Sequence, residues 1–174
     1  AGGLEALGGR GVGGDRLGRA VDDGEPLGEA HSADPGRLGV VQPLHGQAGR
    51  LVLGRVKKLT AVIGAAREQY PGRRLWAVLE PHTYSRVATL ADDFARALEA
   101  ADRVVITPVY AAREQPLSGV GAHTIAARLA AATVAENLEA AARLCAAESL
   151  PGDVVLFLGA GDAPRGSRLM TRLL

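Results

Sequence analysis

Three short runs, Leu75-Trp76-Ala77-Val78-Leu79, Val104-Val105-Ile106-Thr107 and Val154-Val155-Leu156-Phe157-Leu158, are apolar almost throughout. A strand with one wet face alternates polar and apolar residues, so runs without alternation mark strands covered on both faces. The text between them has helical spacing instead. Leu59, Val62, Ile63, Ala66 and Tyr70 form one stripe, stopped by Pro71-Gly72. Val87, Leu90, Ala91, Phe94, Leu98 and Ala101 form a second, with Asp92, Asp93 and Arg96 turned away from it. Further helices are expected over residues 124–132, from an Asn137 cap to about Glu148, and after Gly159-Ala160-Gly161-Asp162. Thr133-Val134-Ala135 is a short apolar segment between the first two of these. Strands of this kind alternating with amphipathic helices predict a three-layer α/β domain, Rossmann-like, with a mostly parallel sheet, over residues 58–174. Hydrophobic residues make up 47% of the chain but aromatics only 3%, so its core must come mainly from Ala, Val, Leu and Ile.

Residues 1–57 read differently. Fifteen of the 23 glycines fall within residues 1–54, and apolar positions there keep neither period for long. Ordering such a segment costs much backbone entropy, with few large side chains to offset it. It is expected to be irregular or disordered, with a short strand at Leu51-Val52-Leu53. Gly11-Val12-Gly13-Gly14-Asp15 resembles a phosphate loop only superficially: no strand leads into it and no Gly-Lys-Ser/Thr follows.

Composition narrows the function classes. With 20 Lys+Arg against 19 Asp+Glu the formal charge is +1, which argues against a nucleic-acid partner. Cys145 is the single cysteine, so an internal disulfide and a multi-cysteine zinc site are excluded. Its neighbours Leu138, Ala141 and Ala142 suggest a buried structural thiol. No apolar run approaches the roughly 20 residues that span a bilayer, and no secretory pattern opens the chain. A cytoplasmic protein without membrane contact is expected.

In parallel sheets of this type, ligands sit beyond the carboxyl ends of the strands. That rule selects residues 80–86, 108–121 and 159–162. In the first loop, Glu80-Pro81-His82-Thr83-Tyr84-Ser85-Arg86, Arg86 can donate two parallel hydrogen bonds to a carboxylate or phosphate. His82 stands beside it, and the N-terminal amides of the next helix also favour anions. The alternative is structural: His82 packs or caps, and Arg86 pairs with Asp92, Asp93 or another surface acid. In the second loop, Tyr110 can hydrogen-bond a ligand and Glu114 can orient an amine, a water or a basic side chain; equally, the segment can be a polar turn ended by Pro116. The third, Gly159-Ala160-Gly161-Asp162, allows close backbone approach, and Asp162 with Pro164 suits a helix start. It lacks the following strand of a dinucleotide fingerprint, which argues against a nicotinamide-dependent oxidoreductase.

Three stretches resemble, in order, the C-terminal domain of the UDP-N-acetylmuramate–L-alanine ligases, a branch of the Mur ligase family. They are Pro81-His82-Thr83-Tyr84-Ser85-Arg86, Tyr110-Ala111-Ala112-Arg113-Glu114-Gln115-Pro116 and Gly159-Ala160-Gly161-Asp162. The likeness extends over about residues 58–174. It implies an enzyme that uses ATP and Mg2+ to activate the muramyl carboxylate as an acyl phosphate, which the L-alanine amine attacks. It also implies that a central domain holds ATP, an N-terminal domain holds the UDP-sugar, and the C-terminal domain closes over both. Carried over residue by residue, it places His82, Arg86, Tyr110 and Glu114 along the substrate cleft, with Arg86 on the alanine carboxylate or a phosphate.

The sequence also departs from the family. It contains no Gly-x-x-x-x-Gly-Lys-Thr/Ser, and Gly54-Arg55-Val56-Lys57-Lys58-Leu59-Thr60 stands where the family carries Asp-Asp-Tyr-x-His-His-Pro-Thr. Residues 1–56 do not resemble the family's central domain. The expectation is therefore a domain or fragment of the ligase, inactive alone, binding neither ATP nor Mg2+ by itself and lacking its N-terminal and central domains. A non-catalytic α/β ligand-binding or interaction module is the competing reading.

Overall fold

The computed structural model describes residues 39–41, 52–159 and 163–174. Five strands form one sheet: β1 (Gly39–Val41), β2 (Leu75–Glu80), β3 (Arg103–Ile106), β4 (Thr133–Val134) and β5 (Val154–Gly159). Their order across the sheet is β1-β5-β2-β3-β4, and every pairing is parallel. The helices are α1 (Val52–Gln69), α2 (Tyr84–Leu98), α3 (Ala122–Ala126), α4 (Leu138–Glu148) and α5 (Ala163–Leu173).

The unbroken apolar runs are explained by what lies on each face. Leu75, Ala77 and Leu79 of β2 point to one side, together with Val104 and Ile106 of β3 and Val154, Leu156 and Leu158 of β5. There they meet Leu59, Ile63 and Ala66 of α1, the stripe of α2 and Ile125 of α3. The intervening Trp76, Val78, Val105, Val155 and Phe157 point to the other side, against Leu138, Ala141 and Cys145 of α4 and Met170 of α5. Successive residues thus serve opposite cores, and the three-layer arrangement expected from the sequence is present.

Cys145 lies fully buried in the second core, and burial pushes its thiol up to about 12. It is a packing residue. α4 begins as expected, with Asn137 Oδ1 accepting the Ala140 N–H at 2.8 Å.

Three local expectations are corrected. Val52 and Leu53 are helical, not a strand, and α1 begins six residues before Lys58; a short apolar triplet carries no period of its own and joins the stronger helical pattern after it. Gly39–Val41, expected to be irregular, pairs with Val154, Val155 and Leu156 of β5, an ordering that comes from the partner strand. The helix expected over residues 124–132 is the five-residue α3, and the chain then turns so that Thr133–Val134 pairs with Val105 and Ile106. The rest of the irregular segment expected over residues 1–57, Leu51 included, lies outside the described residues, as does the helix-start role of Asp162.

Candidate functional site at the carboxyl edge of the sheet

β2 and β3 are adjacent, so the loops that leave their carboxyl ends emerge side by side. Two backbone bonds join them. Tyr110 donates its N–H to the Pro81 carbonyl at 2.8 Å, and Thr83 donates to the Tyr110 carbonyl at 2.9 Å. This parallel bridge sets His82 opposite Tyr110. Their rings stack with centroids 5.6 Å apart and planes inclined by 29°.

Arg86 lies one helical turn after His82, at the start of α2. Its Nη1 donates to His82 Nδ1 at 2.7 Å. A guanidinium can only donate, so Nδ1 accepts and the neutral ring carries its proton on Nε2. The structural alternative for Arg86 is not what is found. Asp92 pairs with Arg128 and Asp93 with Arg96, and among the described residues Arg86 enters no ion pair. Three of the four residues singled out from sequence, His82, Arg86 and Tyr110, therefore form one contiguous group.

Glu114 reaches the same place from the second loop but turns to the chain itself. Its Oε2 accepts the Ser85 N–H at 2.9 Å and its Oε1 accepts the Ser85 hydroxyl at 2.6 Å. The Ser85 hydroxyl, then the Ser85 amide, hold this carboxyl below its ordinary value against the opposing effect of burial. Ser85 lies in the first turn of α2, where amides have no partner within the helix, so Glu114 acts as a cap from outside.

Two positive-φ residues shape these loops: Thr83 at 66° and Ala112 at 55°. Such angles are uncommon outside glycine, above all for a β-branched residue like Thr83. Thr83 and Ser85, legible in sequence only as two hydroxyls of the first loop, hold the group together. The third loop starts at Gly159, next to Glu80 in register. A Cβ there would sit 2.9 Å from Glu80 Cβ and 3.0 Å from the Glu80 carbonyl oxygen, so the packing of β5 against β2 calls for glycine at this point. Ala160, Gly161 and Asp162 lie outside the described residues.

The donor set carries no Mg2+ cluster among the described residues, and the sequence has no phosphate-loop motif for a nucleotide triphosphate. Among the described residues no group of three or more His, Cys, Asp or Glu could hold a metal ion, and Glu114 is committed to Ser85. No phosphate-loop lysine motif occurs in the sequence. Chemistry that runs through either group is therefore not assigned to these residues.

Fold and loops together define a parallel α/β domain, covered on both faces, whose β2 and β3 loops converge on an arginine–histidine–tyrosine group. Residues 55–161 match the family model of the Mur ligase, glutamate ligase domain, and the chain belongs to that family. A UDP-N-acetylmuramate–L-alanine ligase of Mycolicibacterium gilvum is 47% identical over 109 residues, covering 62% of this chain and 23% of the relative. One from Mycolicibacterium paratuberculosis is 41% identical over 121 residues, 67% of this chain and 24% of the relative. The chain thus spans about a quarter of the length of these curated relatives. Among solved structures, the UDP-N-acetylmuramate-alanine ligase of Thermotoga maritima superposes with a TM-score of 0.61 at 22% identity, covering 82% of this chain and 28% of that one. A murein peptide ligase from Psychrobacter arcticus gives 0.59 at 17%, with the same coverage. These two likenesses bear on the fold.

Proposed function

We propose that residues 58–174 serve as the C-terminal, substrate-closing domain of an ATP-dependent ligase that joins L-alanine to UDP-N-acetylmuramate in peptidoglycan precursor synthesis. The observation that carries this reading is Arg86: a guanidinium at the carboxyl edge of a parallel sheet that donates to His82 Nδ1 and, among the described residues, enters no ion pair. In this reading Arg86 receives a carboxylate or phosphate through two parallel hydrogen bonds. His82 fixes the direction of the guanidinium, Tyr110 walls the cleft through its stacked ring, and Glu114 lines its rim. ATP, Mg2+ and the UDP-sugar belong to the N-terminal and central domains that the relatives' greater length leaves room for. In this reading the work takes place in the cytoplasm.

The test uses two preparations. One is the 174-residue chain, and the other is a chimera in which residues 58–174 replace the matching part of the Mycolicibacterium gilvum ligase. With UDP-N-acetylmuramate, L-alanine and ATP, the chimera should release phosphate in step with amide formation and the chain alone should not. A folded chimera with no turnover, or one equally active with unrelated amino acids, would contradict the reading.

A further inference from the structure

We infer that Glu114 is a positioning residue: it latches the loop after β3 onto the first turn of α2 and so sets the His82–Arg86–Tyr110 group, without touching ligand itself. The inference rests on the proposed function only in taking that group to face the ligand.

Five observations lead to it. Both oxygens of Glu114 are taken by Ser85, leaving the carboxylate directed at the chain rather than into the cleft. Ser85 immediately precedes Arg86, so a load on Ser85 acts directly on the residue that carries the guanidinium. The second loop is tied down at two points, the Tyr110 backbone bridge and Glu114, and the turn between them is closed by the Glu114 N–H on the Ala111 carbonyl at 2.9 Å. Ala112 takes its positive φ inside that turn, a conformation that persists only where the surroundings hold it. The His82 and Tyr110 rings stack beside these ties.

This changes how the site recognises charge. The first-turn amides of α2 are an obvious place for a ligand anion. Here the chain's own carboxylate already takes the Ser85 amide. Recognition of an anionic ligand then falls to Arg86.

Nuclear magnetic resonance on the whole 174-residue chain tests the latch. In the wild type, the Ser85 amide proton should shift with a midpoint below the ordinary glutamate value of 4.5. In Glu114→Ala that transition should vanish, Ser85 amide exchange should quicken at least tenfold, and the nuclear Overhauser contacts between the His82 and Tyr110 rings should disappear. Glu114→Gln retains one oxygen acceptor and should restore part of the ring contacts. A thermal melt within a few degrees of wild type shows that the fold is kept. Unchanged ring contacts and Ser85 exchange in a folded Glu114→Ala would overturn the inference. Titration with L-alanine and with inorganic phosphate separates the two readings. Lost ring contacts in Glu114→Ala, with no wild-type response at Arg86 or His82 to either probe, would sustain the latch and count against the ligand-facing role of the group.

Discussion

Arg74 and Asp153 are joined across 79 positions of sequence at the amino edge of the sheet. Arg74 donates from Nε at 2.9 Å and from Nη2 at 2.6 Å to the same oxygen, Asp153 Oδ2. That oxygen also accepts the Trp76 indole N–H at 2.9 Å and the Leu150 N–H at 3.0 Å. The first residue pair of the β2–β5 ladder, Leu75 with Val154, follows directly from these two residues. The pair therefore anchors the sheet at the end opposite the candidate site.

Burial by itself would raise the pKa of Asp153, but the Arg74, Leu150 and Trp76 donors outweigh it and hold the carboxyl below its ordinary 3.8. A depressed folded-state value means that the stabilisation is complete above the unfolded-state value and is lost as pH falls through the folded one. Asp153→Ala should cost about 2 kcal/mol, lowering Tm by on the order of 10 °C at pH 7. The gap from wild type should stay constant from pH 7 to about 5 and narrow below about 4. Melting curves of both proteins over that range check it, and a gap that widens toward acid would be inconsistent.

Two glycines should respond in opposite directions to one substitution. At Gly166 in α5, a Cβ would lie 2.5 Å from Phe157 Cδ1 and 2.8 Å from Leu138 Cδ1, both in the buried second core. Gly166→Ala should destabilise by about 1–3 kcal/mol, because the clash exceeds the gain in helix propensity of about 1 kcal/mol. At Gly64 in α1, a Cβ would meet nothing within 4 Å. Gly64→Ala should therefore stabilise by about 0.5–1 kcal/mol. Denaturant unfolding of the two variants reads out both signs.

Cys145 offers a clean probe of the core because it is the one cysteine of the chain. With the thiol pushed up to about 12, its thiolate fraction at pH 8 is about a thousandfold below that of a thiol at 9. Labelling by a thiol reagent should be negligible in the native state and fast in denaturant. Rapid native labelling would show that α4 does not pack as described.

The central layers were legible in the sequence for a specific reason. Residues of β2 and β5 pack on both faces, and such packing leaves runs like Val154-Val155-Leu156-Phe157-Leu158 that few other environments permit. β1 and β4, with three and two residues, are too short to show a period, and only their neighbours make them strands. His82, Arg86 and Tyr110 could be singled out because they stand at strand ends and can make polar contacts. The bonding of Glu114 to Ser85 could not, since it spans 29 positions and depends on β2 and β3 being adjacent. The same holds for Asp153, whose partners are known only once β5 is placed beside β2. Thr83 gives no sign in sequence of its left-handed backbone.

The central claim is that Arg86 clamps a ligand rather than supporting the fold. Steady-state kinetics of Arg86→Ala and Arg86→Lys in the chimera, alongside thermal melts, test it most directly. A charge-assisted pair of hydrogen bonds in a closed site is worth about 2–4 kcal/mol, so kcat/KM of Arg86→Ala should fall on the order of 30- to 1000-fold. Arg86→Lys keeps the charge but not the fork, and should fall less far. Both should melt within a few degrees of the parent, because Arg86 is half-buried and, among the described residues, its side chain bonds to His82 and enters no ion pair. Activity of Arg86→Ala within a few-fold of the parent, with a clear loss of Tm, would contradict the account.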